Sequence, residues 1–149
     1  AAGLPATGLL FPLSLRSGES EAGRVRTMVG FDEGAGSLTF VGDIPQGHRA
    51  RLMRANLDRL IDGAAGAATT TLSGLLGAPA ELALLISCVG RRMILNQRVE
   101  EEVEAVRQVL GPLPAMAGFY SYGEIAPGVP NARCELHNQT MTITAFAEA

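Results

Sequence analysis

Residues that could carry chemistry gather at two places in the sequence. One is the end of the chain, where Tyr120-Ser121-Tyr122-Gly123-Glu124 is followed, after a Pro/Gly loop at Pro127-Gly128-Val129-Pro130, by Cys134-Glu135-Leu136-His137-Asn138-Gln139-Thr140. Side chains alternate across an extended strand, so Tyr120, Tyr122 and Glu124 are expected on one face of the first segment. In the second, His137 and Gln139 share a face with Met141, Ile143 and Ala145, while Asn138 and Thr140 fall on the other. A strand that is polar at one end and apolar at the other opens onto a pocket, or else forms a polar sheet rim. The second place is Cys88-Val89-Gly90-Arg91-Arg92, directly after an apolar run. Cys88 beside two guanidinium groups has the setting of a poised thiolate; its structural alternative is a small buried apolar side chain. Arg91 is a candidate clamp for a ligand carboxylate, or a partner for one of the acidic residues that open the next helix.

A ligand carrying both an ammonium and a carboxylate would satisfy Glu124 and Arg91 together, and an amino acid is such a ligand. The enzymatic alternative is a small hydrolase or transferase using Cys88 or Ser121 with His137. Against it, the run from Gly118 to Gly123 has one residue too many before Ser121 for a G-x-S-x-G elbow, and no helix follows. Cys134 and His137 point to opposite faces of a strand, and no paired C-x-x-C supports a zinc site. Gly34-Ala35-Gly36 lacks the third glycine of a dinucleotide loop and reads as a turn. No catalysis, metal or cofactor is therefore expected.

The elements that must position these residues read as an α+β domain. Leu9–Leu15, with Pro12 inside it, suits an edge strand or a lead-in. Gly18–Gly23 is loop-like. Arg24–Phe31 alternates with period two, Asp32–Gly36 supplies a turn, and Leu38–Val41 resumes the strand, giving a hairpin. His48–Arg54 leans to a short strand. From the N-cap Asn56, Leu57, Leu60, Ile61, Ala64, Ala68, Leu72 and Leu75 recur at helical spacing. Leu82–Val89 is apolar on both faces, as a central strand would be. Val99, Val103, Val106 and Leu110 form the stripe of a second helix, with Glu100, Glu101 and Glu102 suited to its N-terminal dipole. Met116–Ile125 and Cys134–Phe146 read as two closing strands. The expected architecture is a largely antiparallel or mixed sheet of about six or seven strands with two helices.

Composition narrows the function class. At 149 residues the chain has the size of a single domain. A net charge of −3 argues against an electrostatic nucleic-acid binder. Every one of the 12 cations is Arg, which removes a Schiff-base or P-loop lysine from consideration. Two cysteines make no disulfide framework, and a reducing, cytoplasmic setting is expected. Gly63–Ala80 lacks charge but is built of Ala, Gly, Thr and Ser, too weakly apolar to span a membrane. Only 18% of the residues are charged, so one side is expected to lie against another domain or a second copy. The candidates are the Gly63–Gly77 face and Leu9–Leu15, and the simplest self-association is a two-fold dimer.

The segments singled out for chemistry also resemble a known family. Phe119-Tyr120-Ser121-Tyr122-Gly123-Glu124-Ile125 with Glu135-Leu136-His137-Asn138-Gln139-Thr140 is similar to the ending of the FIST C-terminal domain. Ser87-Cys88-Val89-Gly90-Arg91-Arg92, the acidic helix after it and Gly42-Asp43-Ile44-Pro45-Gln46-Gly47 match the same family in the same order. The resemblance implies a sensory domain of signal transduction proteins that binds a small ligand, with amino acids among the candidates and no catalytic residues to carry over. It places Cys88, Arg91, Tyr122, Glu124, His137, Asn138 and Thr140 at the ligand site. It implies an N-terminal FIST domain and a signalling output module as partners, so residues 1–149 are expected to be one domain of a longer protein. The rival to ligand sensing is a structural module that packs on that N-terminal domain.

Overall fold

The computed structural model describes residues 6–16, 18, 23–127 and 132–148. Most of the loop expected over Gly18–Gly23, and three of the four residues of the Pro127–Pro130 loop, lie outside the described residues. After a 3-10 turn at Ala6–Leu10 come β1 (Leu13–Arg16), β2 (Arg24–Arg26), β3 (Met28–Asp32), β4 (Ser37–Phe40) and β5 (Arg49–Leu52). β1 is not an edge strand: it lies between β2 and β5, antiparallel to both. Pro12 has no N–H to contribute to a ladder. It sits just ahead of β1, where its carbonyl accepts from the Met53 N–H at 2.9 Å.

The strand expected over Arg24–Phe31 is two strands in different sheets. The break falls at Thr27, whose N–H donates to Asn138 Oδ1 (3.2 Å) and whose carbonyl accepts from Val41 N (2.9 Å). With its own carbonyl and N–H held outside the first sheet, Thr27 redirects the chain into the β3–β4 hairpin. That hairpin closes as expected, with Asp32 paired to Ser37 and Asp32 Oδ1 accepting from Ala35 N at 2.9 Å.

The second half holds the core. α1 (Leu57–Gly74) begins at the expected cap, where Asn56 Oδ1 accepts from Arg59 N at 3.0 Å. β6 (Leu82–Cys88) runs straight into a short helix not expected from the sequence, α2 (Val89–Leu95), and α3 (Val99–Leu110) follows. The closing strands are each broken in two: β7 (Ala115–Ser121) and β8 (Glu124–Pro127), then β9 (Cys134–His137) and β10 (Met141–Phe146). β6 is the central strand of its sheet, antiparallel to β10 and parallel to β7. β8 and β9 pair separately, with Glu124 opposite His137.

Helices and sheet meet at Ala64 and Ala68 of α1, Ala83 and Leu85 of β6, and Val106 and Leu110 of α3. Alanines at the contact let α1 approach both neighbours closely, which offsets the low helix propensity of its glycines. The small-residue face expected at the surface of Gly63–Gly77 is therefore partly core, and the space around Gly63, Gly66 and Gly74 is open. Cover lies on one side of β6 only. On its other face Leu84 and Ile86 are half-buried beside the exposed Phe119 and Phe146. The result is an α+β fold whose ten described strands are shared among four small sheets.

Candidate functional site

β6 ends with two buried residues that face opposite ways, Ser87 and Cys88. Ser87 belongs to a buried ionic network. Arg91, on the first turn of α2 and only 3% exposed, donates from Nε to Glu102 Oε1 of α3 at 2.5 Å. Its other nitrogens donate to the Leu60 carbonyl (2.6 Å) and the Gln139 carbonyl (3.3 Å), and Ser87 Oγ donates to Glu102 Oε2 at 3.3 Å. The guanidinium thus links α1, α2, α3 and the β9–β10 connection, each of its three nitrogens donating within the protein. Its partner is an acidic residue of the following helix.

Glu124 is buried in the same manner. Ser121 Oγ donates to its Oε1 and Thr140 Oγ1 to its Oε2, each at 2.6 Å. Thr140 also accepts from Cys88 N at 3.0 Å, so the carboxylate indirectly fixes the end of β6. Asn138, almost fully buried, accepts from Thr27 N and donates Nδ2 to the His137 carbonyl at 3.1 Å. His137 is half-buried, with Nε2 3.0 Å from the Ala126 carbonyl. Ser121 and His137 are thereby engaged elsewhere, and no hydrogen bond among the described residues joins His137 to Ser121 or Cys88. No group of three or more metal-ligating side chains occurs among the described residues.

Cys88 opens onto a cavity of about 360 Å³. Cys88, Val89, Gly90 and Met93, at the β6–α2 junction and along α2, form one wall. The opposite wall is the sheet-switch corner of Thr27, Met28 and Val29 with Val41, and Leu9 of the first turn adds to it. Asn138 lies at the back, and Tyr122, 86% exposed in the break between β7 and β8, stands at the opening. The cavity thus brings together Cys88, Tyr122 and Asn138 from the expected site. It leaves Arg91, Glu124, His137 and Thr140 out of its lining. Apolar residues from the first third of the chain complete it, and nothing in their type marks them for chemistry.

The buried arginine next to this corner is also held by backbone carbonyls. Arg26 donates to the carbonyls of Asp43 (2.9 Å), Val25 and Leu136 (3.0 Å each). Burial, and after it Arg24 nearby, pull its guanidinium below the ordinary arginine range, against Asp43 and Glu135. A second hollow of about 400 Å³ runs under β7 against α3, lined by Leu85, Val103, Met116, Phe119, Tyr120 and neighbours.

Comparison with protein families decides the lineage, because the model of the FIST C domain matches residues 1–127. The chain belongs to the FIST C domain family. This family is one of sensory domains in signal transduction proteins. The match takes in Cys88, Arg91, Tyr122 and Glu124 of the FIST C domain, while His137, Asn138 and Thr140 lie beyond its last matched residue. No curated protein and no solved structure matches the chain. No helix among the described residues is long and apolar enough to cross a membrane.

Proposed function

We propose that this FIST C domain senses a small molecule taken into the cavity between α2 and the Thr27 corner, without chemistry of its own. The observation that supports the reading is the convergence of Cys88, Tyr122 and Asn138, from three distant segments, on one concave and largely apolar space. Arg91 and Glu124 hold the walls in this reading: one ties α2 to α3, the other ties the β7–β8 break to Thr140 and through it to Cys88. Amino acids, the class the sequence suggests, are one arm of the test. The partners are an N-terminal FIST domain and a signalling output module in a cytoplasmic protein, and a homodimer is the form proposed for the isolated chain.

The test is a thermal-shift screen of small metabolites, amino acids included, run in parallel on the chain and on Val29→Trp. Val29 lines the cavity and is nearly half exposed, so the larger ring fills the space without entering the core. Compounds that stabilise the parent chain but not Val29→Trp support the reading. Compounds that stabilise both alike, or none that stabilise either, overturn it.

A further inference from the structure

Resting on that reading, we infer that the cavity takes a neutral, mainly apolar small molecule and rejects zwitterions. Among the described residues no Asp, Glu, Arg or His lines the cavity. The buried charges closest in the fold are already engaged: Arg91 on Glu102 and two carbonyls, Glu124 on two hydroxyls, Arg26 on three carbonyls. An ammonium or carboxylate entering such a space loses its water and finds no counter-charge, the costliest of burials. A neutral ligand avoids that cost and gains from Met28, Val29, Val41, Val89 and Met93.

The polar residues Asn138 and Thr27 of the lining add little for a ligand to meet. Asn138 uses its Oδ1 on Thr27 N and donates one Nδ2 hydrogen to the His137 carbonyl. Thr27 has its N–H and carbonyl engaged, but its Oγ1 is buried without a hydrogen-bond partner among the described residues, in a residue only 4% exposed. Buried hydroxyls are nearly always paired, because leaving one unmade forfeits its hydration for nothing. Sealed from the cavity, that hydroxyl is a cost to the fold and offers a ligand no contact, so the lining presents few polar groups to what enters it.

The experiment uses matched probes that share an apolar body and differ in charge: 2-phenylethanol against phenylalanine, and 3-methyl-1-butanol against leucine, titrated by calorimetry. The alcohols are expected to bind at least tenfold more tightly than the amino acids, with binding abolished in Val29→Trp. Thr27→Val is expected to raise the melting temperature of the ligand-free protein, because it removes an unpaired buried hydroxyl. The same variant should leave the alcohols bound as in the parent chain, since the hydroxyl it removes is sealed from the cavity. Amino acids binding as tightly as the alcohols, and lost in Val29→Trp, would overturn the neutral class while leaving the sensory cavity standing. Alcohols that bind Val29→Trp as well as the parent chain would overturn the cavity reading itself. Failure of every neutral probe to bind the parent chain also overturns the inference.

Discussion

Arg91 is the residue on which a ligand-clamp role and a structural role make opposite demands. A clamp keeps its guanidinium open towards solvent or ligand, whereas here the charge is buried against Glu102 and two carbonyls. Removing one partner of a buried ion pair strands the other charge, a loss of about 3–5 kcal/mol. Arg91→Ala is therefore expected to lower stability by that amount in urea denaturation. The double variant Arg91→Met/Glu102→Leu should lose less than Arg91→Ala, because no charge is left unpaired, yet stay below the parent chain, since the Leu60 and Gln139 carbonyls lose their donor. A single variant with parent-like stability would return Arg91 to the ligand. The same logic at lower stakes applies to Asn138. Its side chain is the sole described partner of the Thr27 N–H, and Asn138→Ala should cost about 1–3 kcal/mol by orphaning that donor.

At the scale of elements, β7 and β6 approach each other only because position 118 lacks a side chain. A Cβ on Gly118 would stand 1.9 Å from the Leu85 carbonyl oxygen and 2.9 Å from its carbon, both backbone atoms that cannot rotate away. Gly118→Ala is expected to push β7 off β6 and cost about 3 kcal/mol or more, at the upper end of overpacking. The check is urea denaturation together with the near-ultraviolet circular dichroism of Tyr120, which sits two residues on in the same strand. Asn56→Ala, by contrast, removes a cap and should cost about 1 kcal/mol. Elements such as α1, α3 and the β3–β4 hairpin were legible in the sequence because their signals are local: a cap, an apolar stripe, an Asp–Gly turn. The breaks at Thr27, at Tyr122–Gly123 and at Asn138–Thr140 were not. Period-two alternation runs on through them, and two are imposed from afar, by Asn138 on Thr27 and by Gln139 Nε2 on the Leu9 carbonyl at 2.9 Å. Gln139 holds φ +54, a left-handed turn no residue type announced. Seven residues gave α2 too little length for a stripe to register. For the same reason the candidate site was half legible. Cys88, Tyr122 and Asn138 carry functional groups that draw attention, whereas Thr27, Met28, Val29 and Val41 reach the cavity only through the sheet switch.

For the whole molecule, two titrations with opposite signs contribute to the pH dependence of stability, one on the acid side and one on the alkaline. On the acid side Arg98 donates to both Glu101 oxygens, at 2.8 and 2.7 Å, and this contact holds the Glu101 carboxyl below its usual range. A depressed folded pKa contributes stability above the unfolded value near 4.5 and loses it as pH falls through the folded one. The pair is exposed, so its share is small. On the alkaline side Tyr120 of β7 has Arg92 of α2 5.3 Å from its ring centroid. Burial first, then the Glu102 charge, raise its phenol above the ordinary 10.0, outweighing Arg92 and Arg91. Below pH 10 both folded and unfolded chains hold the proton and the contribution is complete. Above it the unfolded chain releases the proton while the folded chain keeps it, so stability falls until pH passes the folded value. Because the chain has two tyrosines and no tryptophan, Tyr122→Phe leaves Tyr120 as the single phenolate absorber. Its absorbance change should reach half-height above pH 10 in the folded protein and return to about 10 in urea. Tyr120→Phe keeps the ring against Arg92 and removes the proton, so its denaturation free energy should decline less steeply above pH 10 than that of the parent chain. A half-height at or below 10 in the folded protein, or equal slopes for the two chains, would show that the ring is wetter than its partial burial beside Arg92 implies.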